Sequence, residues 1–188
     1  LFAGALAAVV LGRGMIDLPM PLLLPLLLIA GALSGAMMLL GPALLRLQLG
    51  VNEVVTTLLS NFIVVLFISS MIDGPLKDPM AFGWPKSEPI VEAGALVPLF
   101  DGTRVHVGLL IAMVCAGLVA FIKARTIWGF EMRAVGANPR AARFAGVPVE
   151  AATVRVALLS GGLAGLAGVS EVAGTRGFLT MDLSPGFG

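Results

Sequence analysis

Apolar residues fall in five blocks, at 1–12, 22–40, 54–72, 105–122 and 153–173, separated by stretches rich in proline, glycine and charge. About 20 apolar residues in a helix cross a bilayer core of roughly 30 Å. The pattern predicts an all-α integral membrane protein, a polytopic helical bundle forming a single transmembrane domain over residues 1–188. Composition agrees. Hydrophobic residues make up 58% of the chain and charged residues 12%, with mean hydropathy +1.01. A soluble domain is roughly 45–50% apolar and about 25% charged. The chain opens inside an apolar block and closes on Ser184-Pro-Gly-Phe-Gly188, so it reads as a fragment of a longer protein.

Within the blocks, small residues recur four apart. Gly4, Ala8 and Gly12 share one helix face; Gly31 and Gly35 are flanked by Ala32 and Ala36; Ala157, Gly161 and Gly165 stand beside Ala164 and Gly168. Such ladders let helix backbones approach closely in lipid. Gly31, Gly35, Gly161 and Gly165 are the expected helix-packing positions. Pro19, Pro21 and Pro25 open the second block, and Gly41-Pro42 is expected to end it, leaving 43–49 as a short amphipathic piece. Asn52 reads as the N-cap of the third block, with Glu53 in its first turn.

The most punctuated segment is 128–146. Asn138 suits an N-cap, Pro139 a first helical position and Gly146 the left-handed residue past a helix end. Between them a helix of about two turns is expected, from Arg140 to Ala145, with Ala141 and Ala142 small and Arg143 one turn from Arg140. A preceding helical piece, 128–135, should stop at Gly136. Physically this is either a loop that caps two spans or a knob that faces water and binds a partner. Phe144, its only large apolar side chain, is an odd choice unless something covers it.

Charge orients the chain. Lys123, Arg125, Arg133, Arg140 and Arg143 face only Glu131, whereas 73–104 carries three basic residues and five acids. Basic residues near span ends favour the cytoplasm. Residues 41–53 and 123–150 are therefore expected inside, and 12–17 and 73–104 outside. Prolines 75, 79, 85, 89 and 98 argue against regular structure in the latter segment, and Trp84 suits the interface.

Polar residues inside the blocks are few. Asn61 sits about 10 Å into its span at 1.5 Å per residue, where a buried amide needs a helix, water or a solute as partner. Glu171 lies about 27 Å along its span, either at the outer interface or lining a path. Both are candidates for a translocation path. Cys115 reads as a packing residue, and His106 as a structural or interfacial one. A single cysteine gives no disulfide or cysteine-based zinc site. No Gly-Lys-Ser/Thr phosphate loop, catalytic triad or metal-ligand cluster is present in the sequence, and basic residues are not interleaved with aromatics as for nucleic acid. No metal, cofactor or nucleic-acid partner is expected of this chain.

The run Gly129-Phe-Glu-Met-Arg-Ala-Val-Gly-Ala-Asn-Pro-Arg-Ala-Ala-Arg-Phe-Ala-Gly146 resembles the cytoplasmic coupling segment of permease subunits of ABC-type importers, in the family carrying sugars, nucleosides and branched-chain amino acids. Val51-Asn-Glu-Val54 and its continuation to Asn61 resemble the nucleoside-type branch, and 184–188 resembles the approach to a re-entrant helix. The resemblance implies an inner (plasma) membrane, multi-pass permease subunit, a transport protein rather than an enzyme. Its implied partners are an ATPase subunit that uses ATP, a second permease subunit, an external binding protein or lipoprotein, and membrane lipid. Residues Asn138 to Phe144 and Gly146 would dock on the ATPase, and the cargo would be a nucleoside or simple sugar. A branched-chain amino acid permease is the nearest alternative. A secondary transporter would use intramembrane carboxylates or broken helices as ion sites, and an integral membrane enzyme would need a polar cluster at an interface.

Overall fold

The computed structural model describes residues 1–14, 19–80, 84–91, 94–99 and 105–183. It is all-α, with seven helices among the described residues. They are α1 (Phe2–Gly12), α2 (Met20–Leu49), α3 (Glu53–Asp73), α4 (Gly108–Arg125), α5 (Ile127–Ala137), α6 (Pro139–Phe144) and α7 (Val149–Glu171). A π turn, Val172–Arg176, and a 3-10 turn, Met181–Leu183, follow. Four helices, α2, α3, α4 and α7, are long and apolar enough to cross a membrane, and α1 is a shorter apolar helix. The protein is a multi-spanning membrane protein. The segment 184–188 lies outside the described residues.

Small residues build the centre. Lipid tails are as apolar as leucine, so helix association rests on close packing rather than on escape from water. A Cβ on Gly35 would meet the Gly161 carbonyl, one on Gly165 would meet the Gly31 carbonyl, and one on Gly4 would meet the Gly165 carbonyl. Gly168 stands against the Leu1 carbonyl in the same way. Helices α1, α2 and α7 therefore touch backbone to backbone. Ala5, Ala8, Val9, Leu23, Leu27 and Val169 are buried around that contact.

Helix α2 does not stop at Gly41-Pro42. It runs 30 residues with Pro25 and Pro42 inside it, and ends at Gly50, φ +64°. Proline removes one backbone bond but leaves its neighbours, and apolar surroundings offer the chain no alternative to a helix. The expected separate piece at 43–49 is the last two turns of α2. Arg46 there pairs with Glu53 at the start of α3. Asn52 caps α3 as expected, accepting from the Val54 N–H at 3.0 Å.

The segment after α3 is irregular but not simply water-exposed. Leu76, Asp78, Ser87 and Leu96 are buried. Isolated antiparallel bridges pair Lys77 with Ser87, Lys86 with Thr180 and Pro98 with His106. Backbone bonds from Val91 to Gly12, Ile90 to Gly177 and Leu96 to Ala173, each 2.7–2.9 Å, tie it to the ends of α1 and α7. The prolines exclude long strands, and burial beneath the helix ends supplies the order. Glu92, Asp101 and Arg104 lie outside the described residues, and Trp84 is exposed. Helix α4 stands apart, with Gly108 as its buried residue.

Candidate functional site

Two clefts flank α7. The first, about 1000 Å³, opens between α1, α2, α3 and α7. Thr57, Ser60 and Asn61 line it from α3, three and four residues apart and so on one face. Ser160, Glu171 and Arg176 line it from α7 and its π turn, and Phe2, Met38, Leu39 and Val64 supply apolar wall. Thr57 turns its hydroxyl back onto its own helix, donating to the Glu53 carbonyl at 2.8 Å. The Asn61 side-chain amide is exposed to the cleft, and among the described residues it has no hydrogen-bond partner. At the far end Arg176 pairs with Glu171 at 3.3 Å and donates to the Thr180 hydroxyl at 3.1 Å. The structure thus places Asn61 and Glu171 on the walls of one space. Its polar groups are a neutral amide, hydroxyls and a closed ion pair. They can donate to and accept from a neutral polar solute, with apolar wall beside it, and the charged side chains among the described lining residues, Glu171 and Arg176, are paired with each other.

The second cleft, about 910 Å³, lies between α4 and α7 and also reaches Glu171. His106, Cys115 and Ser170 line it. The part His106 plays is structural. Its Nδ1 accepts the Gly108 N–H at 3.1 Å, and its ring lies where a Cβ on Gly174 would be. Among the described residues no group of three or more His, Cys, Asp or Glu is placed to hold a metal.

Helices α5 and α6 cross the opposite end of the bundle from the described residues of 74–107. Thr126 caps α5, accepting from the Gly129 N–H at 3.2 Å. Gly129 lets α5 lie against the Ile122 and Lys123 carbonyls. Asn138 breaks the path in extended conformation and caps α6, its Oδ1 accepting from Arg140 and Ala141 at 3.0 and 3.1 Å. Pro139 is the first residue of α6, and Gly146 follows at φ +81°. Gly136 is not the stop expected for α5, because the helix runs one residue further and turns at Asn138.

The faces of α6 differ from expectation at one residue. Phe144 is 99% exposed, and Arg140, Ala141, Arg143 and Ala145 are exposed with it, but Ala142 is only 5% exposed. Ala142 packs inward, and its carbonyl accepts the Val147 N–H at 2.9 Å. It is a packing position, closed to a partner, because a six-residue helix lying on the bundle must turn one side inward. Arg143 and Glu150 pair at 3.4 Å in full contact with solvent, an interaction of little energetic weight.

Sequence reasoning missed one constellation. Arg155, two turns into α7, pairs with Glu131 of α5 at 2.6 Å, and its guanidinium lies 5.0 Å from the Trp128 ring centroid. The signal that could have found it was an arginine inside an apolar run and one acid, Glu131, among five bases.

The whole chain, residues 1–188, matches the family described as branched-chain amino acid transport system / permease component. It is 34% identical over 184 residues to the glucose ABC transporter permease protein TsgB13 of Haloferax volcanii, covering 92% of this chain and 48% of that one. It is 34% identical over 160 residues to the nucleoside ABC transporter permease protein NupB of Lactococcus lactis, covering 81% and 44%. It is 34% identical over 180 residues to the guanosine ABC transporter permease protein NupP of Bacillus subtilis, covering 93% and 50%. The chain spans about half the length of these curated relatives. No solved structure matches it significantly. Apolar helices sealed by glycine contacts, a neutral polar cleft and a full-length family match lead to one assignment: the chain belongs to the branched-chain amino acid transport system permease component family.

Proposed function

We propose that the chain is part of the membrane-spanning permease subunit of an ATP-driven importer in the plasma membrane. In this reading an ATPase subunit, a second permease subunit and an external binding protein complete the machine. Helix α6, carried on α5, docks on the ATPase, and the cleft beside Asn61 forms part of the path. Binding-protein docking outside and ATP-driven closure inside would repack the helices in alternating access. The observation that carries the docking reading is Phe144, fully exposed on a well-capped helix beside two exposed arginines. A large aromatic left bare in water is expected of a surface that something covers.

Charge supports the orientation. The end bearing α5 and α6 has Arg46, Lys123, Arg125, Arg133, Arg140, Arg143 and Arg155 against Glu53, Glu131 and Glu150. At the other end the described residues carry Arg13, Lys77, Lys86 and Arg176 against Asp73, Asp78, Glu88, Glu171 and Asp182. The basic end is the cytoplasmic one.

The cargo we favour is a nucleoside, with a simple sugar next. Two relatives named for nucleoside or guanosine transport and one named for glucose transport point that way. The cleft supports it, since a free amide and an apolar wall suit a neutral solute, whereas an amino acid would bring two charges. A secondary transporter would need a carboxylate open to an ion, and Glu171 is engaged by Arg176.

The test is Phe144→Ala in the full-length subunit. Membrane insertion should persist, while ATPase co-purification and ATP-dependent uptake fall. Normal expression with the ATPase retained and parental uptake would leave α6 as a plain loop. Labelling of a cysteine introduced at Arg140 by an impermeant reagent on intact cells would reverse the orientation.

A further inference from the structure

Helix α5 touches the bundle in two different ways. Toward α4 the contact is made on backbone carbonyls. Gly129 lies on the Ile122 and Lys123 carbonyls, Thr126 donates to the Ile122 carbonyl at 2.7 Å, and the Arg133 guanidinium donates to the Lys123 carbonyl. The glycine contact and two side-chain bonds to backbone carbonyls hold α4 and α5 together as one corner. Toward α7 the charged and stacked contacts converge on one side chain. Arg155 reaches across to the Glu131 carboxylate at 2.6 Å and lies over the Trp128 ring. The Glu131 side chain is 16% exposed and the Arg155 side chain 34%. Higher in the bundle, a cleft of about 910 Å³ separates α4 from α7. Helix α7 in turn is fixed to α1 and α2 through Gly4, Gly31, Gly35, Gly161 and Gly165.

We propose that Arg155 is the pivot through which movement of the α5–α6 segment reaches α7. It is a positioning residue for transport and touches neither cargo nor ATP. This rests on the docking reading of α6. The two bodies are the α4–α5 corner and the α1–α2–α7 block; Val107 and Ile111 pack them together at the far end of α4, and Arg155 is the charged side chain that joins them at the α5 end. A guanidinium suits this role because it can pair with a carboxylate and stack on an aromatic ring at once, and its planar fork resists reorientation. A lysine would keep the charge and lose the stacking. Of the other charged groups near the joint, Arg133 is directed onto the Lys123 carbonyl and Arg143 onto Glu150.

The test uses the full-length subunit assembled with its ATPase and reconstituted in vesicles. The variants are Arg155→Ala, Arg155→Lys, Glu131→Gln and the swapped pair Arg155→Glu with Glu131→Arg. The readouts are ATPase co-purification and cargo moved per ATP hydrolysed. Arg155→Ala and Glu131→Gln should retain the ATPase and lose tenfold or more in cargo per ATP. Arg155→Lys should recover part of the loss, and the swapped pair should exceed Arg155→Glu alone, made as its control. A ratio within twofold of the parent in Arg155→Ala overturns the pivot. Loss of the ATPase itself also overturns it, by placing Arg155 in docking. If Arg155→Ala fails to accumulate in the membrane, parental ratios in both Arg155→Lys and Glu131→Gln overturn it. Phe144→Ala separates the two readings: ATPase loss there with normal coupling in Arg155→Ala removes the pivot alone, whereas a silent Phe144→Ala removes docking.

Discussion

Ser87 and Leu179, 92 residues apart in sequence, hold each other by two hydrogen bonds: the Ser87 N–H donates to the Leu179 carbonyl at 3.0 Å, and the Leu179 N–H donates to Ser87 Oγ at 2.8 Å. Both residues are fully buried. The pair fastens the segment after α3 to the segment after α7.

Removing the hydroxyl should show how much that fastening matters. In Ser87→Ala the buried Leu179 N–H loses its acceptor, a loss of about 1–3 kcal/mol. We expect a lower thermal midpoint for the detergent-solubilised subunit and faster tryptic cleavage after Lys86. An unchanged midpoint and cleavage rate would mean that water or backbone replaces the hydroxyl.

Acid should loosen the same region through Asp78. Its carboxylate accepts from the Lys86 ammonium at 2.9 Å and from the Met80 N–H at 2.9 Å, and these hold its pKa below the ordinary value of 3.8. A carboxyl with a depressed folded pKa stabilises the fold above its unfolded value and ceases to do so as pH falls through the folded one. Amide protection over 76–80 and 84–90, relative to the unstructured rate at each pH, should therefore be flat from neutral pH to about 4 and fall only below the ordinary carboxylate range. Asp78→Asn at neutral pH should show the low protection. A fall centred near pH 6 would point to another group.

Gly165 should tolerate no side chain. It faces the Gly31 carbonyl on one side and receives Gly4 on the other. Gly165→Val must separate α7 from α2, an overpacking burden of about 1–3 kcal/mol or more. Gly41, with no neighbour near its missing Cβ, is the control. Gly165→Val should lower expression and thermal midpoint, and Gly41→Ala should change neither. Equal behaviour of the two would contradict the backbone contact.

Asn61→Leu should act on transport and spare the fold. Its amide is open to the cleft and holds nothing else among the described residues. If it bonds cargo, the loss of about 0.5–1.5 kcal/mol corresponds to roughly a two- to tenfold rise in KM for uptake. Radiolabelled nucleoside uptake measures this. Parental KM with parental expression would remove Asn61 from the path.

What the sequence made legible was local. Asn52 and Asn138 sit at caps, Gly146 adopts a left-handed turn, and the four-residue glycine spacing coincides with the α2–α7 contact. Each depends on a few neighbouring residues and on the stereochemistry of one side chain. Pro42 does not end its helix, because a helix bond broken in apolar surroundings finds no water as a new partner. Ser87 and Arg155 were hard to read for a different reason. Their partners lie 92 and 24 residues away; Ser87 has no local signal, and Arg155 stands out as a charge in an apolar run without its neighbours naming a partner. The inward turn of Ala142 was likewise decided by how α6 lies on the bundle, not by its own sequence neighbours.

The π turn at the end of α7 sets an angle. In an α-helix, residues five apart stand about 140° from one another around the axis, at 3.6 residues per turn. Over 172–176 the wider winding, closed by the Gly177 N–H on the Val172 carbonyl at 2.7 Å, brings residues five apart nearly above one another. That is why Glu171 and Arg176 meet. The charge neutrality of the cleft beside Asn61 is therefore a matter of helical winding. Rewinding this one turn to ordinary pitch would swing Arg176 away and leave a bare carboxylate facing both clefts, with no side chain exchanged.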